Sequence, residues 1–518
     1  MTDHPHATGN AQASSSISPV TVMIGDAPVT CQDVVAVARH GAAVALTDAA
    51  LLRIDTARSI VERIIADGQR AYGINTGLGA LCNVVLNEHD LARLSRNTIQ
   101  SHACGVGTLL PVEQVRAIMC SAVINYSHGK SGISRAAVET LVSFLNLGIT
   151  PEVPSQGSVG YLTHMAHIGL PLVGQGFVEY QGQRMASARI WEEGILPLPE
   201  LGAKDGLSLV NGTLCMTGLS CLAIDDARGL LDWADVTGAM SFEALGGQVR
   251  AFAPEVLEAK FHPGASEVGK RLRALLGQSE NILRKTGTRT QDALSLRAIP
   301  QVHGAARDQL AHVTAQVERE LRGVSDNPII LGTLEQYEVI SQANPHGESV
   351  SMAADLLAVA MAEVGSIAER RLDRLVNPLV SNLPAFLIAE SGVNSGFMIT
   401  QYVAASLCAD NRRLAMPAVT DNYVTSALQE DHLSMGTSAA LKALQVADNL
   451  RRILAIEWLA AAQAFEFLPD SKGEGTARAH GFLREWIPAY HEDRWLSPDI
   501  EQAATLMRTH GAGRVTGF

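Results

Sequence analysis

Apolar residues near the start of the chain recur at three- and four-residue steps. Leu51, Ile54, Ala57, Ile60, Val61, Ile64 and Ile65 fall on one face of a helix. The same spacing runs through 112–147, 214–246, 266–284, 300–322, 350–375, 395–412 and 436–467, the last closed by Leu468-Pro469. Stretches with strand character are few and short: 20–24, 29–31, and parts of 177–190 and 329–340. The pattern predicts a mainly α protein, a bundle of long helices with a small, loop-rich N-terminal part. Alanine-rich faces at 358–368 and 460–464 suit close helix packing. The expected organisation is a polar, disordered tail at 1–18, a domain of active-site loops at 19–225, and a helical bundle with C-terminal helices at 226–518.

Charge narrows the partners. The 518 residues carry 40 Lys+Arg against 53 Asp+Glu, a formal net charge of -13, which argues against a nucleic-acid partner because phosphate backbones require clustered cations. Seven cysteines (Cys31, Cys82, Cys104, Cys120, Cys215, Cys221 and Cys408) are scattered with no C-x-x-C pair, as reduced cytosolic thiols are. The first residues have neither the basic nor the apolar region of a secretory signal. The best apolar run, 356–367, is interrupted by Glu363, so no membrane span is expected. These readings together predict a soluble, cytoplasmic protein.

Two motifs fail on inspection. Gly129-Lys130-Ser131 resembles the end of a phosphate loop, but Ile124 stands where that loop requires glycine. His164 and His167 have a spacing that can bind metal, yet no H-E-x-x-H pattern or ligand carboxylate accompanies them; no metal is expected. The glycine-interrupted loops at 73–79, 105–107, 157–160, 206–212 and 391–396 are more informative. Such loops either connect helices or converge at one end of a bundle to build a site.

Eight segments in order carry a family resemblance. They are Ala71-Tyr72-Gly73-Ile74-Asn75-Thr76-Gly77-Leu78-Gly79, Ser101-His102-Ala103-Cys104-Gly105-Val106-Gly107, Gly157-Ser158-Val159-Gly160 and Leu209-Val210-Asn211-Gly212-Thr213. Gln291-Asp292-Ala293-Leu294-Ser295-Leu296-Arg297, Ser325-Asp326-Asn327-Pro328, Gly392-Val393-Asn394-Ser395-Gly396 and Gln429-Glu430-Asp431-His432 follow. Together they resemble the aromatic amino acid ammonia-lyases, the histidine ammonia-lyase group. The resemblance implies an α-helical homotetramer whose active sites draw loops from three subunits. Ser101-His102 and Glu430 resemble the histidine-type members, in which this carboxylate faces the imidazole.

One departure is large. Family members follow Gly-Ser-Val-Gly with Ala-Ser-Gly, which cyclises into the electrophilic methylidene-imidazolone, and then with Asp and Pro. Here Gly160 is followed at once by Tyr161, and His164 takes the place of the proline. Either the chain lacks the tripeptide, or its fused residues are missing from the sequence as written. Leu214, Leu294 and Pro345 also replace polar or aromatic family residues, which favours true absence. A site without the electrophile could still expel a quaternary amine, which leaves as neutral trimethylamine. The expectation is therefore an ergothionase-like lyase with no cofactor, converting ergothioneine (or hercynine), a histidine betaine, to thiourocanate (or urocanate). The alternatives are a histidine ammonia-lyase whose methylidene-imidazolone is masked in the sequence, and a non-catalytic azole-binding pseudoenzyme.

The resemblance assigns roles. Tyr72 is the candidate base for the β-proton. Arg297 would clamp the substrate carboxylate bidentately, and Asn211 would donate to the same group. Ser101, His102, Glu430 and Gln291 would line the azole end. Asn344, and with it Asn327, is a weaker candidate. Tyr161 would face the trimethylammonium by cation–π contact, or pack into the space the electrophile vacates.

Overall fold

The computed structural model describes residues 20–81 and 83–518; the expected polar tail and Cys82 lie outside them. The first long helix illustrates how the patterning is realised. Thr47 caps α1 (Asp48–Ala66) by accepting the Ala50 N–H, and Ile54, Ala57, Ile60, Val61 and Ile64 are buried along one stripe. Leu51 and Ile65 sit at its margin. Further along, α2 (Glu88–His102), α3 (Thr163–Gly169) and α4 (Asp205–Val210) surround the loops named above.

The centre of the molecule is a bundle of α5 (Leu214–Ala244), α6 (Ile299–Leu321), α7 (Glu348–Val376) and α8 (Gly436–Phe465). Helix α5 is buried along most of its length, with Asp225, Asp226, Arg228 and Asp232 only partly covered. Trp233 of α5 packs on Trp458 of α8 with ring centroids 4.6 Å apart. A buried charge pair in this core is satisfied: Arg371 donates to Glu457 at 2.5 Å, and Glu457 also accepts from Thr237 and Ser241, each at 2.8 Å. One hydrophobic cluster runs from Val22 to Ala512. The 225/226 boundary drawn from sequence falls inside α5. Two helical stretches, Asp205–Ala244 and Glu348–Val376, are long and apolar enough to cross a membrane by length and composition, where none was expected. Their apolar windows are 100% and 61% buried inside the fold, as core helices are.

Strands are minor. Thr21–Ile24 pairs in parallel with Ala43–Leu46, and Ile329–Gly332 forms a hairpin with Tyr337–Ile340. Phe177–Tyr180 and Gln183–Ala186 form a second hairpin, joined by Thr150–Pro151. The strand expected at 29–31 is instead the start of helix Cys31–Arg39, because Thr30 and Asp33 form a reciprocal capping box. The single helical run expected at 112–147 breaks into Val112–Ser127 and Arg135–Leu147, and 266–284 breaks into Pro263–Leu275 and Glu280–Lys285. In each case polar turn residues overrule a continuous apolar periodicity.

Candidate active site

A cavity of about 1330 Å³ opens where the glycine-rich loops meet. Its wall includes Tyr72, Ser101, His102, Tyr161, Asn211 and Glu430, all six anticipated from sequence.

Tyr72 lies in the loop between α1 and α2, and its hydroxyl accepts the Gly79 N–H at 3.2 Å. The loop is braced from within: Asn75 bridges the Ala71 N–H and the Gln69 carbonyl, and Thr76 accepts the Gly73 N–H. Gly73 adopts φ +66°, a left-handed conformation that glycine takes without strain, and it packs against Leu207 of α4.

Helix α2 ends at the cavity. Ser101 Oγ is 3.0 Å from His102 Nδ1, and it donates to the Thr98 carbonyl at 3.2 Å. Burial holds the His102 imidazole below its ordinary pKa, against the opposing pull of the Thr98 carbonyl and the Glu430 carboxylate. The ring is therefore neutral near pH 7. Glu430 belongs to a tight loop closed by Thr425 N–H to Glu430 C=O (2.8 Å), and Thr425 Oγ1 is 3.3 Å from its carboxylate.

Tyr161 faces the same space. Burial, reinforced by the charges of Glu430 and Tyr72, pushes its phenol up to about 12. Tyr161 is therefore a phenol near pH 7. Its turn is closed: Ser158 Oγ donates to the Tyr161 carbonyl at 3.0 Å, and Leu162 N–H donates to the Val210 carbonyl. Gly160 has φ +151°, and a Cβ on it would stand 2.7 Å from Ser434 Oγ.

Asn211, at the end of α4, differs from its expected role. Its Nδ2 donates to Asp326 Oδ1 and to the Asn327 carbonyl, both at 3.0 Å, which uses both amide hydrogens. It presents Oδ1, an acceptor, where a donor to carboxylate was anticipated. Asn344 is likewise committed, donating to the Val324 carbonyl at 3.0 Å, and does not line the cavity. Asn327 does line it, with Oδ1 accepting the Gln342 N–H.

Arg297 and Gln291 lie away from this cavity. Arg297 Nε donates to the Asp292 carbonyl at 3.0 Å, while the Asp292 carboxylate pairs with Arg289 at 3.2 Å. Leu294, beside them, is 65% exposed. His164 and His167 are ordinary hydrogen-bonded histidines: His164 Nε2 meets the Ser155 carbonyl at 3.2 Å, and His167 accepts the Gly105 N–H at 3.0 Å. Arg70, Asn97, Gln342, His346 and His432 also line the cavity and were not singled out in advance. Arg70 adjoins a motif that was and His432 belongs to one; His346 follows Pro345, itself flagged as a departure.

Comparison with known proteins fits this geometry. The aromatic amino acid lyase family model matches residues 29–485. A histidine ammonia-lyase of Symbiobacterium thermophilum is 46% identical over 93% of this chain and 95% of its own length. The crystal structure of histidine ammonia-lyase from Trypanosoma cruzi superposes with TM-score 0.89 at 35% identity, covering 96% of this chain and 95% of that one. Ergothionase from Treponema denticola, in complex with desmethyl-ergothioneine sulfonic acid, superposes with TM-score 0.88 at 30% identity, covering 94% and 99%. The higher identity to proteins named histidine ammonia-lyase overturns the expectation of a trimethylamine-releasing ergothionase. The expectation of an enzyme with no cofactor falls with it, since histidine ammonia-lyases use the methylidene-imidazolone. By its sequence along nearly its whole length and by its fold, the chain belongs to the aromatic amino acid lyase family.

Proposed function

We infer that the chain is a carbon–nitrogen lyase acting on a small imidazole amino acid, and that its reaction is elimination of ammonia from histidine. The observation that carries this reading is the proximity of a neutral His102 to the Glu430 carboxylate at one wall of the cavity. A carboxylate there accepts an azole N–H; a plain aromatic ring would leave it facing carbon, at a cost of about 1–3 kcal/mol. The relatives named histidine ammonia-lyase support the same substrate class.

The chain's own residues divide the work. Glu430 and His102 hold the imidazole, with Ser101 fixing the His102 ring. Tyr72 removes the β-proton, its oxygen held in place by the Gly79 N–H. Tyr161 stays a phenol and donates rather than competing as a base. Asn211 presents an acceptor, which suits the substrate's α-ammonium better than its carboxylate. Arg297 and Gln291 would enter from a neighbouring subunit of a homotetramer with shared sites, and Arg297 would then clamp the carboxylate.

The methylidene-imidazolone supplies an electrophile to family members that carry it. In this chain the segment that resembles the one preceding that group, Gly157-Ser158-Val159-Gly160, stands at the wall of the same cavity as Tyr72 and Glu430. Incubation with histidine, following conjugated product by ultraviolet absorbance together with released ammonia, tests the reading. Ammonia and urocanate in equal amounts support it; absence of ammonia overturns it.

A further inference from the structure

Three metal-ligating side chains meet at the edge of the cavity, outside the roles assigned above. His346 Nε2 and His432 Nδ1 are 3.1 Å apart, their rings stacked with centroids 5.2 Å apart and planes 28° from parallel. Glu348 Oε2 is 3.9 Å from His346 Nδ1. One ligand atom from each of the three residues lies within 4.8 Å of the others. Glu348 Oε2 is itself buried and has no hydrogen-bond partner among the described residues, and it faces the His346 ring.

We propose that His346, Glu348 and His432 form a binding site for a divalent transition-metal ion of the zinc class. Two imidazole nitrogens and one carboxylate oxygen make the donor set that such ions prefer, and a hard ion such as Mg²⁺ does not. The separation of the two nitrogens is close to the roughly 3.3 Å that tetrahedral geometry gives with Zn–N bonds of about 2.0–2.1 Å. Three protein ligands leave a fourth position, on the side where His346 and His432 line the cavity.

The ligand-bearing segments are held in place by packing. Gly347, between His346 and Glu348, and Gly436, four residues beyond His432, both rest on Met216 of α5. A Cβ at either would stand within 2.3 Å of the Met216 sulfur. Ser351 in the first turn of α7 donates to the Ser434 carbonyl at 2.6 Å, which ties the helix carrying Glu348 to the loop carrying His432. The Leu433 N–H is held by Asn422 at 3.1 Å. The three donors are thus fixed relative to one another before any ion arrives, which lowers the ordering cost of binding. This inference is independent of the reaction proposed above.

Equilibrium dialysis of the full chain against Zn²⁺, with metal counted by mass spectrometry, tests it. The expected result is one Zn²⁺ per chain, with Mg²⁺ not retained, and a visible absorption band on substitution with Co²⁺. His346→Ala and His432→Ala should each weaken Zn²⁺ binding beyond the roughly 10–100-fold that loss of an outer-shell partner costs. Glu348→Gln, which keeps the shape of the side chain, should weaken it less but measurably. His89→Ala is the control, because His89 is fully exposed elsewhere. Circular dichroism of each variant separates lost ligation from lost fold. Failure of the native chain to retain Zn²⁺, or equal retention by the His346→Ala/His432→Ala double variant, overturns the proposal. Neither result depends on whether the protein turns over histidine.

Discussion

Lys204 and Asp326 form an ion pair at 2.8 Å with neither side chain exposed to solvent, directly behind the wall of the cavity. The pair is the centre of a network. Ser208 donates to the same Asp326 oxygen at 2.9 Å, and the other oxygen accepts from Asn211 and from the Asn327 N–H. A carboxylate saturated in this way fixes the Asn211 amide with its hydrogens turned inward, and so decides which atom the cavity sees.

Removing one partner of that pair strands a buried charge. Lys204→Met should destabilise the fold by about 3–5 kcal/mol, read as a lower midpoint of denaturant unfolding. The double variant Lys204→Met/Asp326→Leu should lose less than the two single variants added together, because no charge is left uncompensated. Additive losses would mean that the pair is not coupled.

The Tyr72 loop depends on one glycine. Gly73→Ala places a methyl group against Leu207 at a left-handed backbone position, where the backbone strain persists even if the Leu207 side chain gives way, and movement of the loop relieves it. The expected outcome is a fall of roughly 10²-fold in kcat/KM, as for a misplacement of about 1 Å, with near-native circular dichroism. An unchanged kcat/KM would show that Tyr72 does not need its observed position.

The sequence was informative where chemistry is local and weak where it depends on assembly of distant segments. The α1 stripe and the long core helices follow from periodicity, because each helix must bury one face whatever its neighbours are. Tyr72, His102, Tyr161 and Glu430 converge as their motifs suggested, since glycine loops at helix ends can go few other places. The hydrogen-bonding direction of Asn211 was not legible, because it is set by Asp326, more than a hundred residues away in the chain. Arg297 and Gln291 could be named by motif but not located, because nothing local in a sequence tells where a loop lies relative to distant ones. The helix at Cys31–Arg39 was hidden by β-branched residues, whose preference for strands loses to a capping box. His346 and Glu348 escaped notice because a pair two residues apart lacks the helical spacing of familiar metal motifs.

Acid should expose the buried His164. Burial, with a small contribution from His167, depresses its pKa from 6.5 to about 4, the Ser155 carbonyl opposing. Between those values the unfolded chain binds a proton that the folded chain refuses, so stability rises with pH in this window. The contribution is present in full above about pH 6.5 and is lost as pH falls towards 4; it amounts to about 3 kcal/mol. His164→Gln should flatten the acid limb of unfolding free energy against pH over this interval while leaving the region above pH 7 nearly level. A limb as steep as that of the native chain would assign the loss to other groups.

Tyr72→Phe bears most directly on the chemistry. It removes one oxygen, the only part of the side chain that can accept a proton, and leaves the ring that packs the loop. If the Tyr72 phenolate is the base, turnover of histidine should fall by about 10²–10⁴-fold, while the Kd for histidine, measured by calorimetry, stays within a few-fold. The Gly79 N–H loses its acceptor in this variant, so a modest stability loss of about 1 kcal/mol is expected as well. A loss of binding in proportion to the loss of rate would make Tyr72 a substrate contact rather than the base. Unchanged turnover would move the base elsewhere in the cavity, to Glu430 or His102, because burial and its anionic neighbours hold Tyr161 protonated up to about pH 12.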